Sequence, residues 1–390
     1  MLSPIYSIIV FYAKISNMNI LKINDTSNKL YYVGGVVRDE LLGIESLDVD
    51  ITYVGNAIDF VKNNDFNDGQ FEILQINEPF GTVRILFDGQ EVDIASTRSE
   101  IYEKKGHLPT VTKIGCSLKE DVLRRDFTVN ALAKSIATGE IVDYVGGVED
   151  LKNKKLRILH DKSFIDDPTR ILRGLKFSVR FGFELEENTK NLQEKYLKNI
   201  NHDMCYKRVK KELIETFNLN SQAAFEKFIN EKIYKLVCEK NVELPNENIE
   251  NLVKKYIISS GKNPQNIWLV YVGVLGDLSR LPLTKNEQKI LNDFNSIQEF
   301  KNDFEIYKTF EKMSVETILL YWILKDKKIA QKYLDKLSKI KIEINGNDLV
   351  EMGLKPSKKF GEIFDYILEK KIETPTLTKN DEIKLVRDII

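Results

Sequence analysis

The sequence predicts an α+β protein in which a small mixed sheet with helices is followed by helices alone. In the first third, short β-prone runs alternate with helical patterns, which is the order of elements that mixed sheets show. From Asp167 onward this alternation disappears, and apolar residues recur at spacings of three and four, the period of a helix. Examples are Leu213, Phe217, Ala224 and Phe228.

Composition excludes several classes of protein. The 390 residues correspond to two to four structural units at about 100–200 residues per domain. A hydrophobic fraction of 42% excludes a disordered chain, and a charged fraction of 30% excludes a membrane-embedded one. With 58 Lys and Arg against 59 Asp and Glu, binding to a polyanion would have to come from local patches. Three widely spaced cysteines predict no disulfide framework and favour a cytoplasmic location.

The N-terminus carries an apolar run from Ile5 to Tyr12, which is shorter than the ~20 residues of a membrane span. No basic segment precedes this run, which argues against a signal peptide. Met18 offers an alternative start, so residues 1–17 are expected to be a dispensable extension.

The elements of the first third can be placed in order. Strands are predicted at residues 31–33, 49–54, 82–87 and 90–95, and the last two form a hairpin. Helices are predicted to begin at Val36 and at Phe127, and the second extends to Ile136. Residues 98–117 show no clear periodicity, so we expect a long mobile loop there.

The first group of chemically useful residues is Gly34-Gly35-x-x-Arg38, followed by Asp48-x-Asp50. Two glycines between a strand and a helix let backbone amides approach a ligand, and the start of the helix favours anions. Arg38, one turn into the helix, adds a fork for a phosphate. Asp48 and Asp50 share one face of a strand, where two carboxylates suit a hard cation such as Mg²⁺. Each feature alone is compatible with an ordinary strand–turn–helix, whereas the ordered combination predicts a triphosphate held on a metal ion.

Alternation within the predicted hairpin assigns its residues to two faces. Arg84, Glu91 and Asp93 share the polar face. The apolar face carries Val83, Ile85, Phe87, Val92 and Ile94. Asp93 is therefore either a third catalytic carboxylate or the partner of Arg84 in a salt bridge across the hairpin.

A second group is the stretch RRDFTVNAL that begins at Arg124, which alone would be compatible with a capped helix. Together with YVGGVVRD from Tyr32 and DVD from Asp48, it resembles the class II family of bacterial tRNA nucleotidyltransferases and poly(A) polymerases. The resemblance implies a polymerase-β-like head that adds nucleotides to RNA 3′ ends. It also implies that Arg125 and Asp126 contact the triphosphate or the ribose.

A third group begins at Asp166 and has the sequence DDPTRILRGLKF. Asp167 can cap a helix that starts at Pro168, with an apolar stripe on one side and Asp167, Arg170 and Arg173 on the other. A capped amphipathic helix with a solvated charged face is the structural alternative. The segment resembles the templating motif of the family, usually Glu-Asp-x-x-Arg, and the resemblance assigns base recognition to its second acid and its arginine.

Hydrogen-bond chemistry gives this assignment a physical basis. Cytosine and adenine each present an exocyclic amine beside an unprotonated ring nitrogen, which a carboxylate acceptor next to a guanidinium donor complements. Uracil and guanine present a carbonyl and a ring N–H instead, so both contacts fail. Asp167 and Arg170 are therefore expected to select CTP and ATP, with Arg173 and Lys176 as further nucleotide-binding residues. Lys176 stands where relatives often carry arginine, which keeps the charge but loses the fork.

The combined prediction is a template-independent RNA nucleotidyltransferase that adds or repairs the CCA 3′ end of tRNA from CTP and ATP and releases pyrophosphate. Asp48 and Asp50 would hold Mg²⁺, Asp93 would join them as a catalytic acid, and Gly35 and Arg38 would hold phosphates. A poly(A) polymerase and an enzyme that adds only CC or only A share these motifs and stay open. A non-catalytic RNA-binding protein is a further alternative, against which the intact acid pair argues.

The resemblance also orders the chain into segments. After the extension, we expect a nucleotidyltransferase head at 18–150, a helical neck with the base-reading motif at 151–215, and a helical, tRNA-binding body and tail at 216–390. Arg208-Val209-x-x-Glu212 resembles the helical motif that follows the templating motif in the family.

Overall fold

The structure is a computed structural model that describes residues 29–46, 49–63, 71–87, 89–260 and 266–390. The expected dispensable extension 1–17 and the predicted metal ligand Asp48 lie outside the described residues. Within the described ranges, no helix combines the length and the apolar content that crossing a membrane requires.

The chain divides into two compact units. The first comprises the chain up to Glu212 together with Glu231–Leu236, and the second comprises Leu213–Asn230 and Val237–Ile390. The predicted sheet and all of the predicted site residues that the structure describes belong to the first unit.

The strands of the first unit lie in three sheets. In chain order they are β1 Leu30–Val33, β2 Asp50–Tyr53, β3 Phe71–Asn77, β4 Thr82–Phe87, β5 Gln90–Ser96, β6 Arg98–Ile101, β7 Thr110–Ile114, β8 Ala133–Ser135, β9 Ile141–Val142, β10 Lys155–Leu156 and β11 Glu184–Leu185. The main sheet has the order β3-β4-β5-β2-β1-β8-β9, while β6 pairs with β7 and β10 pairs with β11. Within the main sheet β2 and β5 run parallel, and the other neighbouring pairs run antiparallel.

The β4–β5 hairpin forms as the sequence predicts, because its apolar residues alternate with polar ones along both strands. Val83 pairs with Ile94 and Ile85 pairs with Val92, and all four side chains are buried. The helix Ala57–Asn63 packs on β4 and β5 and buries its own apolar residues. The opposite face of the hairpin is left for Arg84, Glu91 and Asp93, as predicted.

Two predicted elements of the first unit are wrong. Residues 98–117 are not a loop, since they contain the antiparallel hairpin β6–β7. Residues 127–136 are not a helix, since a 3-10 turn at Thr128–Asn130 leads into β8, which pairs with β1. The cause is local, because the Asp126 carboxylate accepts hydrogen bonds from the Phe127 N–H and the Asn130 amide and so favours a turn.

Helices complete both units, and from Asp167 onward the described chain is helical apart from β11, as predicted. The α-helices of the first unit are Gly35–Leu41, Ala57–Asn63, Leu118–Leu123, Gly147–Lys152, Ser163–Asp166, Thr169–Phe181 and Glu187–Lys198. The helix Tyr206–Phe217 contains the boundary between the units. The α-helices of the second unit are Gln222–Asn230, Ile249–Tyr256, Ile267–Val272, Lys285–Ser296, Asp303–Phe310, Val315–Leu324, Lys327–Asp335, Gly346–Glu351, Lys359–Glu373 and Lys379–Arg387.

The second unit has an aromatic and aliphatic core of its own. Phe217 stacks on Tyr271 with ring centroids 5.2 Å apart, and Phe225 and Phe228 pack edge-on against them. Its last three helices enclose a separate aliphatic cluster. The members of that cluster are Ile344, Leu349, Ile363, Ile367 and Val386. These cores explain the helical apolar period of the C-terminal half.

Candidate active site

A cleft of about 410 Å³ lies on the polar face of the main sheet, where β1, β2, β4 and β5 lie side by side. Its charged lining consists of two carboxylates and four guanidinium groups. They belong to Asp50, Asp93, Arg84, Arg98, Arg124 and Arg125. A cleft of this size and charge suits an anionic ligand that brings a cation with it.

The two cleft carboxylates come from adjacent parallel strands. Asp50 in β2 is directly paired with Asp93 in β5, so both side chains leave the same face of the sheet. Asp93 also receives a two-pronged ion pair from Arg84, with 2.7 Å from Nε to Oδ1 and from Nη2 to Oδ2. The salt bridge to Arg84 is therefore present, and the catalytic role of Asp93, which lies beside Asp50, stays a prediction.

The acid pair fits a hard divalent cation. Carboxylate oxygens are the ligands that Mg²⁺ prefers, and two of them on neighbouring strands supply part of an octahedral shell. Asp48, which the alternation of the strand would place on the same face, is outside the described residues. Among the residues that the structure describes, no group of three or more His, Cys, Asp or Glu is placed to hold a metal ion.

The glycine pair shapes the edge of the cleft. Gly34 has φ +72°, a conformation that favours glycine, and a Cβ there would lie 2.8 Å from Nη1 of Arg125. The Gly34 N–H donates to the Leu132 carbonyl, and the first helix begins at Gly35. Glycine at position 34 therefore lets Arg125 lie against the strand–helix turn.

Arg38 does not line the cleft. It is buried, and its Nε and Nη2 donate to Asp39 Oδ1 while its Nη1 donates to Asn130 Oδ1. Its guanidinium also lies over the rings of Phe177 and Phe181, at 5.2 and 4.5 Å from their centroids. Burial lowers the pKa of Arg38, and the neighbouring Asp39 offsets part of this effect. The contacts with Phe177 and Phe181 tie the first helix to the helix Thr169–Phe181, and the phosphate contact of Arg38 stays a prediction.

Arg125 and Asp126 are adjacent in sequence and differ in their contacts. Arg125 lines the cleft, and its buried Nε has no hydrogen-bond partner. Asp126 instead accepts from Nε and Nη2 of Arg173, both at 2.7 Å from Oδ2. Burial raises the pKa of Asp126, but the Arg173 charge and hydrogen bonds from Asn130, Arg173 and Phe127 outweigh it, so the pKa falls to about 2. Asp126 is therefore a charged anchor for Arg173.

The predicted base-reading residues lie at the start of the helix Thr169–Phe181. This helix begins one residue later than predicted, and Asp167 Oδ1 accepts from the backbone N–H and the hydroxyl of Thr169. Asp167 also receives both Nη atoms of Arg208, at 3.0 and 2.6 Å. Asp167 is 5% exposed and Arg170 is 3% exposed, so these charges are not on a solvated face.

Arg170 is held by three partners. Its Nη1 donates to Ser163 Oγ at 2.6 Å, and its Nη2 donates to the Arg124 carbonyl at 2.8 Å and to the Tyr102 hydroxyl at 3.3 Å. The Tyr102 hydroxyl comes from the segment that follows β6. Arg170 is thus fixed beside Asp167 by groups from three other parts of the first unit.

Two residues of this site, Arg208 and Glu212, were not predicted as site residues. Glu212 Oε2 accepts from Lys176 Nζ at 3.0 Å, and its Oε1 lies 3.7 Å from Arg173 Nη1. The spacing of four between Arg208 and Glu212 places both on one side of the helix Tyr206–Phe217. This spacing is visible in the sequence, but the residues that they meet are 36 and 41 positions away.

Comparisons with known proteins agree with this geometry. Residues 30–157 match the family model of the poly A polymerase head domain. An A-adding tRNA nucleotidyltransferase of Geobacter sulfurreducens is 29% identical over 91% of this chain, which spans 44% of that protein. An A-adding tRNA nucleotidyltransferase of Halalkalibacterium halodurans is 28% identical, with 92% of this chain and 88% of the relative covered.

A solved structure extends the similarity over the chain. The CCA-adding enzyme of Thermotoga maritima, complexed with tRNA, has a TM-score of 0.76 and 27% identity, with 99% of this chain and 98% of that chain covered. The α+β fold predicted from the sequence is confirmed, since a mixed sheet with helices is followed by helices, and the similarity to this solved structure covers 99% of the chain. Residues 30–157 thus match the head domain of poly A polymerases, and the chain as a whole is similar to A-adding and CCA-adding tRNA nucleotidyltransferases.

Proposed function

We propose that this protein is a tRNA nucleotidyltransferase that adds or repairs the 3′-terminal CCA from CTP and ATP and releases pyrophosphate. The observation that carries the proposal is the pairing of Asp50 with Asp93 on neighbouring strands, facing a cleft lined by arginines. A non-catalytic RNA-binding protein would have no use for two carboxylates in a phosphate-sized cleft.

In this proposal the acids and the arginines divide the work on the triphosphate. Asp50 and Asp48 would hold the divalent cation that the family generally uses, with Asp93 beside them and Mg²⁺ as the expected ion. When bound, such a cation lowers the pKa of the RNA 3′-hydroxyl and stabilises the pyrophosphate leaving group. Arg124 and Arg125 offer guanidinium donors to the phosphates, and Gly35 lets the chain approach them closely.

Selection of the base is proposed for Asp167 and Arg170. Asp167 Oδ2 accepts one hydrogen bond, from Arg208, and a carboxylate oxygen can accept two, so an exocyclic amine can be the second donor. Arg170 would donate to the unprotonated ring nitrogen. Arg173 and Lys176 lie further along the same helix, where Asp126 and Glu212 hold them. For these two residues we propose support of the bound nucleotide through the position of the helix.

The helices of the second unit are proposed to bind the tRNA body. The solved complex of the Thermotoga relative contains tRNA, and the similarity to it covers 99% of this chain. We place the reaction in the cytoplasm, because tRNA, CTP and ATP are available there.

A second candidate function is the addition of the terminal A alone. It is favoured by the two relatives described above, which are both A-adding enzymes. Both functions need the same cation site and the same base-reading pair, since cytosine and adenine present the same edge pattern. The contacts of the first unit therefore serve either function.

The test is incubation of the protein with tRNA truncated to each of three stages, lacking CCA, CA or A, with one labelled nucleotide at a time. A CCA-adding enzyme incorporates C on the first two substrates and A on the third, whereas an A-adding enzyme incorporates A on the third alone. Long A tails on every substrate would indicate a poly(A) polymerase. No incorporation on any substrate by folded protein would contradict the proposal, and the Asp50→Asn variant gives the background.

A further inference from the structure

Two buried carboxylates lie behind the arginines of the cleft. Asp121 belongs to the helix Leu118–Leu123, and Glu100 belongs to β6. Their side chains are 0% and 4% exposed, so neither carboxylate is available to solvent. Ionised groups at this depth are costly unless they are paired and hydrogen-bonded.

The Asp121 carboxylate accepts hydrogen bonds from three residues, all of them arginines that line the cleft. Its Oδ1 accepts from Nε and Nη2 of Arg124 at 3.0 and 2.8 Å, and from the backbone N–H of Arg98 at 3.1 Å. Its Oδ2 accepts from Nη2 of Arg125 at 3.4 Å. Burial raises the pKa of Asp121, but the charges of Arg125 and Arg124 outweigh it, so the net pKa lies below the usual range.

Glu100 repeats this arrangement from the neighbouring hairpin. Its Oε1 accepts from Nε of Arg98 at 2.7 Å and from Nη1 of Arg124 at 3.3 Å. The Arg124 guanidinium therefore donates to both Asp121 and Glu100, which leaves its plane little freedom to rotate.

The balance of charge shows what the arrangement leaves over. Arg98, Arg124 and Arg125, called the arginine cluster below, carry three positive charges, and Asp121 and Glu100 neutralise two. All three arginines of the cluster line the cleft, together with Asp50 and Asp93. One net positive charge thus remains for an anion, on guanidinium groups that Asp121 and Glu100 already hold in place.

We infer that Asp121, with Glu100, is a positioning residue that aims the arginine cluster at the polyphosphate of the bound nucleotide. The inference rests on the proposed function, because it takes a nucleoside triphosphate as the ligand of the cleft. It assigns a role to an acid three residues before the RRDFTVNAL stretch and to one in the segment that the sequence suggests is a loop.

The discriminating measurement is the dependence of affinity on the number of phosphates. Asp121→Asn keeps the volume of the side chain and removes its negative charge. It also places an amide N–H₂ where a carboxylate oxygen accepted from the arginines, and two donors cannot bond each other. Calorimetric titration with CTP and with CMP, in Mg²⁺ and without RNA, separates phosphate contacts from base contacts. Glu120→Gln is the matched control, because Glu120 lies on the same helix, is exposed, and bonds only Ser117 in the helix cap.

We expect Asp121→Asn to weaken CTP binding about tenfold, because roughly one charge-assisted contact with the phosphates is lost. The affinity for CMP should stay within about twofold of the wild-type value. Glu100→Gln is expected to show the same selective loss at a smaller size, and it decides the question if Asp121→Asn does not fold. Glu120→Gln should change neither affinity.

Two results would overturn the inference. Unchanged CTP affinity in folded Asp121→Asn and Glu100→Gln would show that the cluster needs no anchor. An equal loss of CTP and CMP affinity, together with a lower melting temperature, would show a role in folding alone. Wild-type protein that binds CTP no better than CMP would instead contradict the proposed function itself, and the inference with it.

Discussion

The first unit contains two groups of arginines that differ in what their hydrogen bonds serve. The Asp121 and Glu100 carboxylates hold the arginine cluster, and all three of its arginines line the cleft. Along the helix Thr169–Phe181 and its neighbour, Arg173 and Arg208 are instead satisfied by Asp126 and Asp167. The difference suggests that the cleft is built to bind charge, whereas the helix uses its charges to fix geometry.

Ionisation supports the same division. The Asp126 charge is the main cause that raises the pKa of Arg173, with burial opposing it, so the pair stays ionised at any physiological pH. This ion pair fixes the orientation of the Arg173 side chain. It adds little net charge to its surroundings, because its two charges cancel at a distance. Variants in the cleft should therefore reduce rate and phosphate binding, and variants in the helix should reduce the choice of base.

The largest expected effect is in the cleft. Asp50→Ala removes one of two paired carboxylates, and we expect kcat/KM for nucleotide addition to fall at least about a hundredfold, because metal assistance contributes several kcal/mol. The ratio between nucleotides should stay unchanged, as should tRNA affinity within a few-fold. Primer-extension assays and tRNA titrations measure these quantities.

The control for this variant is Asp59→Asn, an exposed carboxylate of the helix Ala57–Asn63 that bonds Asn56. It should retain wild-type activity. Activity above about a tenth of wild type in Asp50→Ala would contradict the proposed role of the Asp50 carboxylate in holding the cation.

The second effect concerns the choice of base. Asp167→Ala removes the acceptor and Arg170→Ala removes the donor, so each should shrink the preference for CTP and ATP over UTP and GTP by roughly 1–3 kcal/mol. The measurement is kcat/KM for all four nucleotides in each variant, with thermal melts to detect misfolding.

Asp166→Asn is the matched control for Asp167→Ala, since the acid stands one residue earlier, and it should keep the wild-type preference. If the folded Asp167→Ala and Arg170→Ala proteins keep the preference for CTP and ATP, the start of the helix Thr169–Phe181 has a structural role only.

A third prediction uses pH to test the satisfied ion pair. The pKa of Asp126 is about 2 in the folded protein, below its usual value of about 3.9, so the ionised form stabilises the fold above about pH 4. This contribution, on the order of 2 kcal/mol, should be lost as the pH falls from about 4 through 2.

The free energy of unfolding is measured by chemical denaturation. The pH is lowered in steps of roughly one unit, from pH 5 to the lowest pH at which the protein is still folded. Asp126→Asn should flatten this acid dependence, and Asp59→Asn should follow the wild type. A wild-type slope that survives Asp126→Asn would locate the acid sensitivity elsewhere.

The smallest expected effect is at the tip of the β6–β7 hairpin. Gly106 has φ +75°, its N–H donates to the Asp166 carbonyl, and a Cβ would lie 2.8 Å from the Asp203 carbonyl oxygen. Gly106→Ala should therefore loosen the tip by roughly 1–2 kcal/mol. We expect A addition to slow more than C addition, because the larger base needs the tip and the pocket to adjust together.

Gly139→Ala is the matched control, since Gly139 has φ +73° but open space around it. Timing the C and A steps separately on truncated tRNA gives the comparison. Equal slowing of both steps by Gly106→Ala would assign the tip a general structural role.

The sequence predicts the parts of the fold that depend on neighbours along the chain. The β4–β5 hairpin follows from strict alternation, and the helix Thr169–Phe181 follows from its apolar period. The segment 127–136 has the apolar content of a helix, but the side chains of Asp126 and Asn130 bond locally and start a turn. The β6–β7 hairpin has no strong alternation, because several of its residues are exposed on both faces.

The same limit applies to the site. Motif order predicts Asp50 and Asp167 as acids of the site, and strand alternation predicts Asp93, but Arg38 shows what local order cannot reveal. Its donors are taken by Asp39 and by Asn130, which is 92 positions away in sequence. The partners of a buried guanidinium depend on which distant elements pack together, and no spacing rule encodes them.

A hydrogen bond between the helix Thr169–Phe181 and the cleft limits how the proposed choice of base can be altered by mutation. The Nη2 of Arg170 donates to the carbonyl of Arg124 at 2.8 Å, across 46 positions of sequence. A residue proposed to choose the base thus rests on the backbone of a residue in the cleft. Libraries that randomise the helix alone will sample altered specificity mostly at the expense of turnover, whereas libraries that vary both segments together can find compensated solutions.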